Sequence, residues 1–203
     1  MTQATTTKLE AVNSMLTAIG ETPVNSITEA TTTDVSIAIQ ILDNVSREVQ
    51  QQGWYFNTDL KYKLTPNTDK QIVLPVNCLR VDTTYLSKHY NLVERSRKLY
   101  DRKKNTFAID AESIEVDIVF YLEFENIPEV ARRYITLRAA RLFQDRMLGS
   151  ATLHGFHEND EFRALMELKE AEGDIGEHSI FDHYDTYSTL DRTHYQPNKQ
   201  SRS

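Results

Sequence analysis

The sequence has one cysteine, one tryptophan, six glycines and five prolines in 203 residues, and no apolar run approaches the length of a membrane span. Cys78, alone, forms no intrachain disulfide and builds no thiolate zinc site, which points to folding in a cytosolic or similarly reducing compartment. The opening Met1 to Thr7 has neither the charged end nor the apolar stretch of a secretory signal, so no export is expected. Asn44-Val45-Ser46 fits a glycosylation pattern but falls inside a predicted helix, and is set aside. A glycine-rich phosphate loop, a nucleophile elbow and a metalloprotease helix are all missing. The formal charge of -7 argues against a general nucleic-acid binder, since phosphate contact needs positive side chains to displace counterions, and leaves room only for a local basic patch.

What is present is a change of period at Gly53-Trp54-Tyr55-Phe56-Asn57. Before it, Thr7 and Glu10 form a capping box and Leu9, Val12, Leu16 and Ile19 recur at helical spacing until Gly20 and Pro23. A second helix, capped by Thr33 or Asp34, carries Val35, Ala38, Leu42, Val45 and Val49 on one stripe. After the hinge the pattern shortens. Residues 60–64, 71–74, 79–86, 92–94 and 106–109 read as short strands. A longer strand is predicted over Ser113 to Glu125, with Ile114, Val116, Ile118, Phe120, Leu122 and Phe124 on one face.

Asn126 with Glu129 three residues on, spaced as a capping box, and Pro128 in the first turn then predict a third helix, ended by Gly149, with Ala131, Tyr134, Ile135, Ala139, Leu142 and Phe143 on its apolar face. A fourth helix within Ser150 to Glu172 is expected to be interrupted early at Gly155 and carries Phe162, Leu165, Met166 and Leu168. The expected class is α+β: an antiparallel helical bundle, two helices before and two after an inserted small antiparallel β domain, with an extended C-terminal arm. The corresponding divisions are 1–53, 54–127, 128–173 and 174–203. The arm is polar, with Phe181, Tyr184, Tyr187, Leu190 and Tyr195 spaced through it. That composition suits either an arm ordered against a partner or a frayed terminus.

Chemistry is thinly signalled. His154 and His157 beside Glu158 would share a helical face, yet no fourth ligand follows, and His178, His183 and His194 match no zinc spacing; exposed histidines and no metal are expected. Glu123 and Glu125, on one predicted strand face, are the candidate carboxylate pair for glycoside hydrolysis, which needs an acid and a base about 5–9.5 Å apart across a cleft. A solvated strand face, or a subunit boundary, accounts for them more simply. Arg132, Arg133, Arg138, Arg141 and Arg146 scatter around the third helix instead of forming a groove-binding stripe. Arg138 falls on the apolar side, where it needs a carboxylate, from its own chain or a neighbouring subunit.

Four stretches follow one another in the chain: Leu9-x-x-Val12-Asn13-x-x-Leu16-x-x-Ile19-Gly20-Glu21-x-Pro23-Val24, then Gly53-Trp54-x-Phe56-Asn57, then Leu99-Tyr100-Asp101-Arg102, and Ile127-Pro128-Glu129 opening an arginine-rich helix. In this order and spacing they resemble the tail tubular protein A family, the adaptors or head-to-tail connectors of short-tailed bacteriophages. The resemblance spans about Leu9 to Glu172 and implies a helical bundle with a sheet domain. It further implies a structural virion protein without catalytic or cofactor-binding residues, forming a homo-oligomeric ring of twelve beneath the portal protein. Below that ring would come the nozzle, tail tubular protein B, with tail fibres attached near the junction and genomic DNA passing through without specific binding. The C-terminal arm would embrace the portal. The alternative carried forward is a tail-associated glycan-degrading enzyme using Glu123 and Glu125; a DNA-binding neck protein ranks third.

Overall fold

Thr7 accepts a hydrogen bond from the Glu10 backbone N–H while the Glu10 carboxylate accepts from the Thr7 N–H, so the capping box opens helix α1 (Lys8–Ala18) as the sequence predicts. Asn13 then clasps the loop beyond the helix: its side chain accepts from the Val24 N–H at 2.8 Å and donates to the Val24 carbonyl at 2.9 Å. The computed structural model describes residues 5–28, 32–83, 90–149 and 151–175, without the side chains of 151–154, 156, 157 and 175. Helix α2 (Thr33–Gln50) is capped by Thr32, one residue earlier than expected, through its hydroxyl and the Val35 N–H.

Among the described residues five strands follow: β1 (Thr58–Leu64), β2 (Cys78–Asp82), β3 (Leu92–Arg95), β4 (Lys98–Asp101) and β5 (Ile114–Phe120). They form an antiparallel sheet in the order β1-β5-β2 and a separate β3-β4 hairpin. Segments 71–74 and 106–109 contribute isolated bridges at Val73 and Thr106 in place of the predicted strands. β1 does not alternate cleanly. Asp59 pairs with Ile118 and Tyr62 with Val116, so Leu60 and Lys61 bulge out; Lys61 takes a positive φ and donates its N–H to the Asp117 carboxylate.

The predicted long strand ends at Phe120. Beyond it the chain leaves the sheet, and a 3-10 turn at Phe124–Asn126 leads into helix α3 (Glu129–Met147). The predicted capping box of Asn126 is not made. Pro128 occupies the cap position without a side-chain bond, and the Glu129 carboxylate instead accepts from the Thr6 N–H and hydroxyl at 2.7 and 2.5 Å. Helix α4 (Ala151–Ile175) runs unbroken through Gly155, contrary to expectation. One glycine costs about 1 kcal/mol relative to alanine, which a helix packed along α3 absorbs.

Two apolar cores result, and the class is α+β. Met15 and Leu16 of α1, Leu42 and Val45 of α2, Ile135 and Phe143 of α3, and Ala164 and Leu168 of α4 bury together, so the helices on either side of the strands share one core. Ile72, Leu74, Leu99, Ile114 and Ile118 bury in a second, within the strand region. Leu122 and Phe124, expected on the sheet's apolar face, pack into the helical core instead.

The seam between them is the 53–57 hinge. Gly53 adopts φ +81°, and a Cβ there would meet the Arg80 guanidinium at 2.8 Å and a Val119 methyl at 3.0 Å. Buried Asn57 accepts from the Trp54 N–H and donates to the carbonyls of Gln50 and Phe120. Buried Gln50 holds Leu122 from both sides, accepting its N–H at 2.8 Å and donating to its carbonyl at 2.9 Å. The two amides tie the end of α2 to the exit of β5 and satisfy backbone groups that have left the ladder.

Candidate interaction surfaces

Helix α3 places its arginines in three environments. Arg132 is buried and donates to backbone carbonyls only: Ile127 at 2.8 Å, Thr6 at 2.8 Å, and Glu125. With Glu129 it fastens residue 6 and the 3-10 turn to the start of α3, so this cation is a structural clamp. Arg133, outward, pairs with Glu167 of α4 at 2.9 Å. Arg138 and Arg141 flank Glu161, which reaches from α4 to bond Arg138 Nη1 at 2.9 Å and Arg141 Nε at 2.5 Å. Arg138 Nη2 also meets Glu48 of α2 at 2.7 Å, and Arg141 meets Asp145 at 3.5 Å.

Arg138 thus finds its carboxylates within its own chain, and the network joins α2, α3 and α4. Burial opposes the Arg138 charge, but the bonds to Glu161 and Glu48 outweigh it and push the guanidinium above its usual value. At Arg141 the Glu161 bond dominates and acts the same way. Beside this network the Tyr134 phenol is raised, chiefly by burial.

Glu123 and Glu125 are both exposed and do not share a strand face. Glu123 precedes the 3-10 turn and Glu125 lies within it, with the Glu125 carbonyl held by Arg132. Phe181, Tyr184, Tyr187, Leu190 and Tyr195 lie outside the described residues, as do His178, His183 and His194. The side chains of His154 and His157 are likewise outside them. Among the described residues no group of three His, Cys, Asp or Glu side chains could hold a metal ion, and no helix is long and apolar enough to cross a membrane. Cys78 is a half-buried thiol whose pKa burial raises, with Glu94 adding to the effect.

Two surface features are located only by the structure. Phe162 and Met166 of α4 point outward, 60% and 38% exposed, while Ala164 and Leu168 take the core positions. A cluster of cations, Arg95, Arg97, Lys98, Arg102, Lys103 and Lys104, occupies the hairpin and its following loop. Its signal was there in the local charge, hidden under the acidic total.

No curated protein matches the sequence. A family model described as Tail tubular protein matches residues 9–178, which takes in the four described α-helices, save Lys8 at the start of α1, and the five described strands. The span contains each of the four stretches that carry the resemblance, and this chain belongs to the tail tubular protein family.

Proposed function

We propose that this structural protein of a phage tail is the ring-forming adaptor between the portal and the nozzle, tail tubular protein B. The observation that carries the reading is the extent of the family match: it covers the helical core and the strand region together, in the order that the adaptor resemblance requires. In this reading twelve copies surround the channel through which the genome leaves, tail fibres attach near the nozzle junction, and assembly takes place in the host cytoplasm. An acidic subunit encloses DNA without gripping it, because like charges repel across a short Debye length.

The divisions 1–53, 54–127, 128–173 and 174–203 serve as two halves of the bundle, an inserted β domain and an arm. Phe181, Tyr184, Tyr187, Leu190 and Tyr195 supply the apolar contacts of that arm to the portal. Glu123 and Glu125, exposed on the turn, sit at the subunit boundary, and Arg138 reaches that boundary through Glu48, whose side chain is 57% exposed.

The test is to mix the full chain with purified portal and follow backbone hydrogen exchange and electron micrographs. Adaptor function predicts a ring capping the portal and new protection within 174–203. Absence of any portal complex contradicts it. Release of reducing sugars from host envelope glycans, lost in the Glu123→Gln/Glu125→Gln double variant, would favour the enzyme reading instead.

A further inference from the structure

A ring with cyclic symmetry needs two different, complementary surfaces on each subunit, since each copy meets one neighbour with one face and the other neighbour with another. The described residues contain two such surfaces of opposite charge. The first lies on the β3-β4 hairpin. Arg95 pairs with Lys98 across the hairpin, and Lys98 in turn bridges to Val73, so the three stand in a row on one face. The opposite face is the buried one, with Leu92, Leu99, Ile72 and Leu74. Arg95 lies 4.1 Å over the Tyr100 ring, and Val73 is 47% exposed.

Residues 95–104 hold six cations and a single carboxylate, Asp101, which is buried and accepts from the Lys103 and Asn91 backbone. Among the described residues Arg95, Arg97, Lys98, Arg102 and Lys104 have no carboxylate within salt-bridge reach. The contrast with Arg133, Arg138 and Arg141, each paired inside the chain, is sharp. A cluster left to repel itself costs stability unless an anionic surface covers it.

The second surface is the outward stripe of α4. Glu158, Phe162, Met166 and Glu170 follow one another at four-residue intervals, advancing ~40° around the helix at each step. Phe162, Met166 and Glu170 face away from Ala164 and Leu168, which are buried against α3, and Glu158 lies on the flank. Residues 151–175 contain seven carboxylates and two cations. Glu161, Glu167 and Glu172 are engaged within the chain, by Arg138 and Arg141, by Arg133, and by the Tyr55 N–H. Glu158 and Glu170 have no such partner among the described residues and bracket two exposed apolar side chains.

We propose that the hairpin face of one subunit, Val73, Arg95 and Lys98, seats on the Glu158-Phe162-Met166-Glu170 stripe of the next copy of this chain. Val73, at one end of the row, meets Phe162 and Met166, and the neighbouring Lys98 and Arg95 face the carboxylates that bracket them. This rests on the chain forming a ring and names the surfaces that close it.

Reciprocal charge reversal tests the pairing, with association followed by sedimentation velocity at about 50 mM salt, where surface charges are lightly screened. The hairpin variant Arg95→Glu/Lys98→Glu and the helix variant Glu158→Lys/Glu170→Lys should each self-associate at least about tenfold more weakly than the wild type. Their equimolar mixture, and one chain carrying all four changes, should recover wild-type association. Circular dichroism checks that each variant is folded; Phe162→Ser, which leaves every charge in place, should also weaken association.

Wild-type association unchanged in either charge variant, or no recovery on mixing, overturns the pairing. So does a wild-type chain that stays monomeric at this salt. Unchanged association together with loss of salt-sensitive DNA retention in the hairpin variant would assign the cluster to nucleic acid and also overturn it. Portal capture by a reversed variant is scored separately: the adaptor reading survives a failed pairing if portal is still bound, and falls if neither variant nor wild type binds it.

Discussion

Glu161→Gln is the perturbation that most directly weighs the network joining three helices. Glu161 has a side chain only 10% exposed and neutralises Arg138 and Arg141, whose side chains are 26% and 17% exposed. Breaking a buried ion pair by removing one partner costs about 3–5 kcal/mol, because the remaining charge stays desolvated. Here the loss is smaller. Arg138 keeps Glu48 and Arg141 keeps Asp145, and glutamine preserves the shape and one acceptor. A destabilisation of about 2–3 kcal/mol follows, and for a chain of this size a fall in Tm of ~5–10 °C.

The control is Glu167→Gln. It removes the Arg133 pair, whose side chains are 56% and 45% exposed, and should cost under about 0.5 kcal/mol. Urea unfolding of both variants, with equal m-values, is the assay. Equal effects from the two substitutions would refute the claim that burial, and not pairing alone, gives the Glu161 network its weight.

Gly53→Ala should destabilise by about 2–3 kcal/mol, adding the strain of φ +81° to the near-collision with a Val119 methyl; urea midpoints check it. Gly20→Ala has the same sign of φ and open space around it, so it should cost only the backbone strain, about 1 kcal/mol. The phenols of Tyr55, Tyr121 and Tyr134 are all raised above the ordinary 10.0, in each case chiefly by burial. The unfolded chain therefore loses these protons first, so their contribution is intact below pH 10 and stability falls as pH rises through the folded values. Unfolding free energies measured from pH 9 upward should decline, and Tyr134→Phe should flatten the decline.

Local chemistry was legible where its partners are close in sequence. Thr7 and Glu10 lie three residues apart and form the box they spell. Asn126 and Glu129 spell the same box, but Arg132 gathers the carbonyls of residues 125 and 127, and Glu129 turns to Thr6, 123 residues away. No local pattern carries that information. The alternation from Ile114 to Phe124 was read as one strand because every second residue buries; in fact the chain changes cores after Phe120, and burial in either core yields the same period.

The outward face of α4 is not legible either. Phe162 and Met166 look like core residues by size, yet Ala164 and Leu168 take the buried positions beside α3. The Arg138 expectation rested on charge and helical angle, and its need for a carboxylate was legible; its partners, Glu48 and Glu161, come from helices whose mutual placement only the fold determines.

The central claim is that the tail tubular chain closes into a ring between portal and nozzle. Electron cryomicroscopy of the intact virion tests it most directly: the account predicts twelve copies in one layer directly beneath the portal. Density in that layer that fits a different polypeptide, with this chain elsewhere in the tail or missing from the particle, would contradict it.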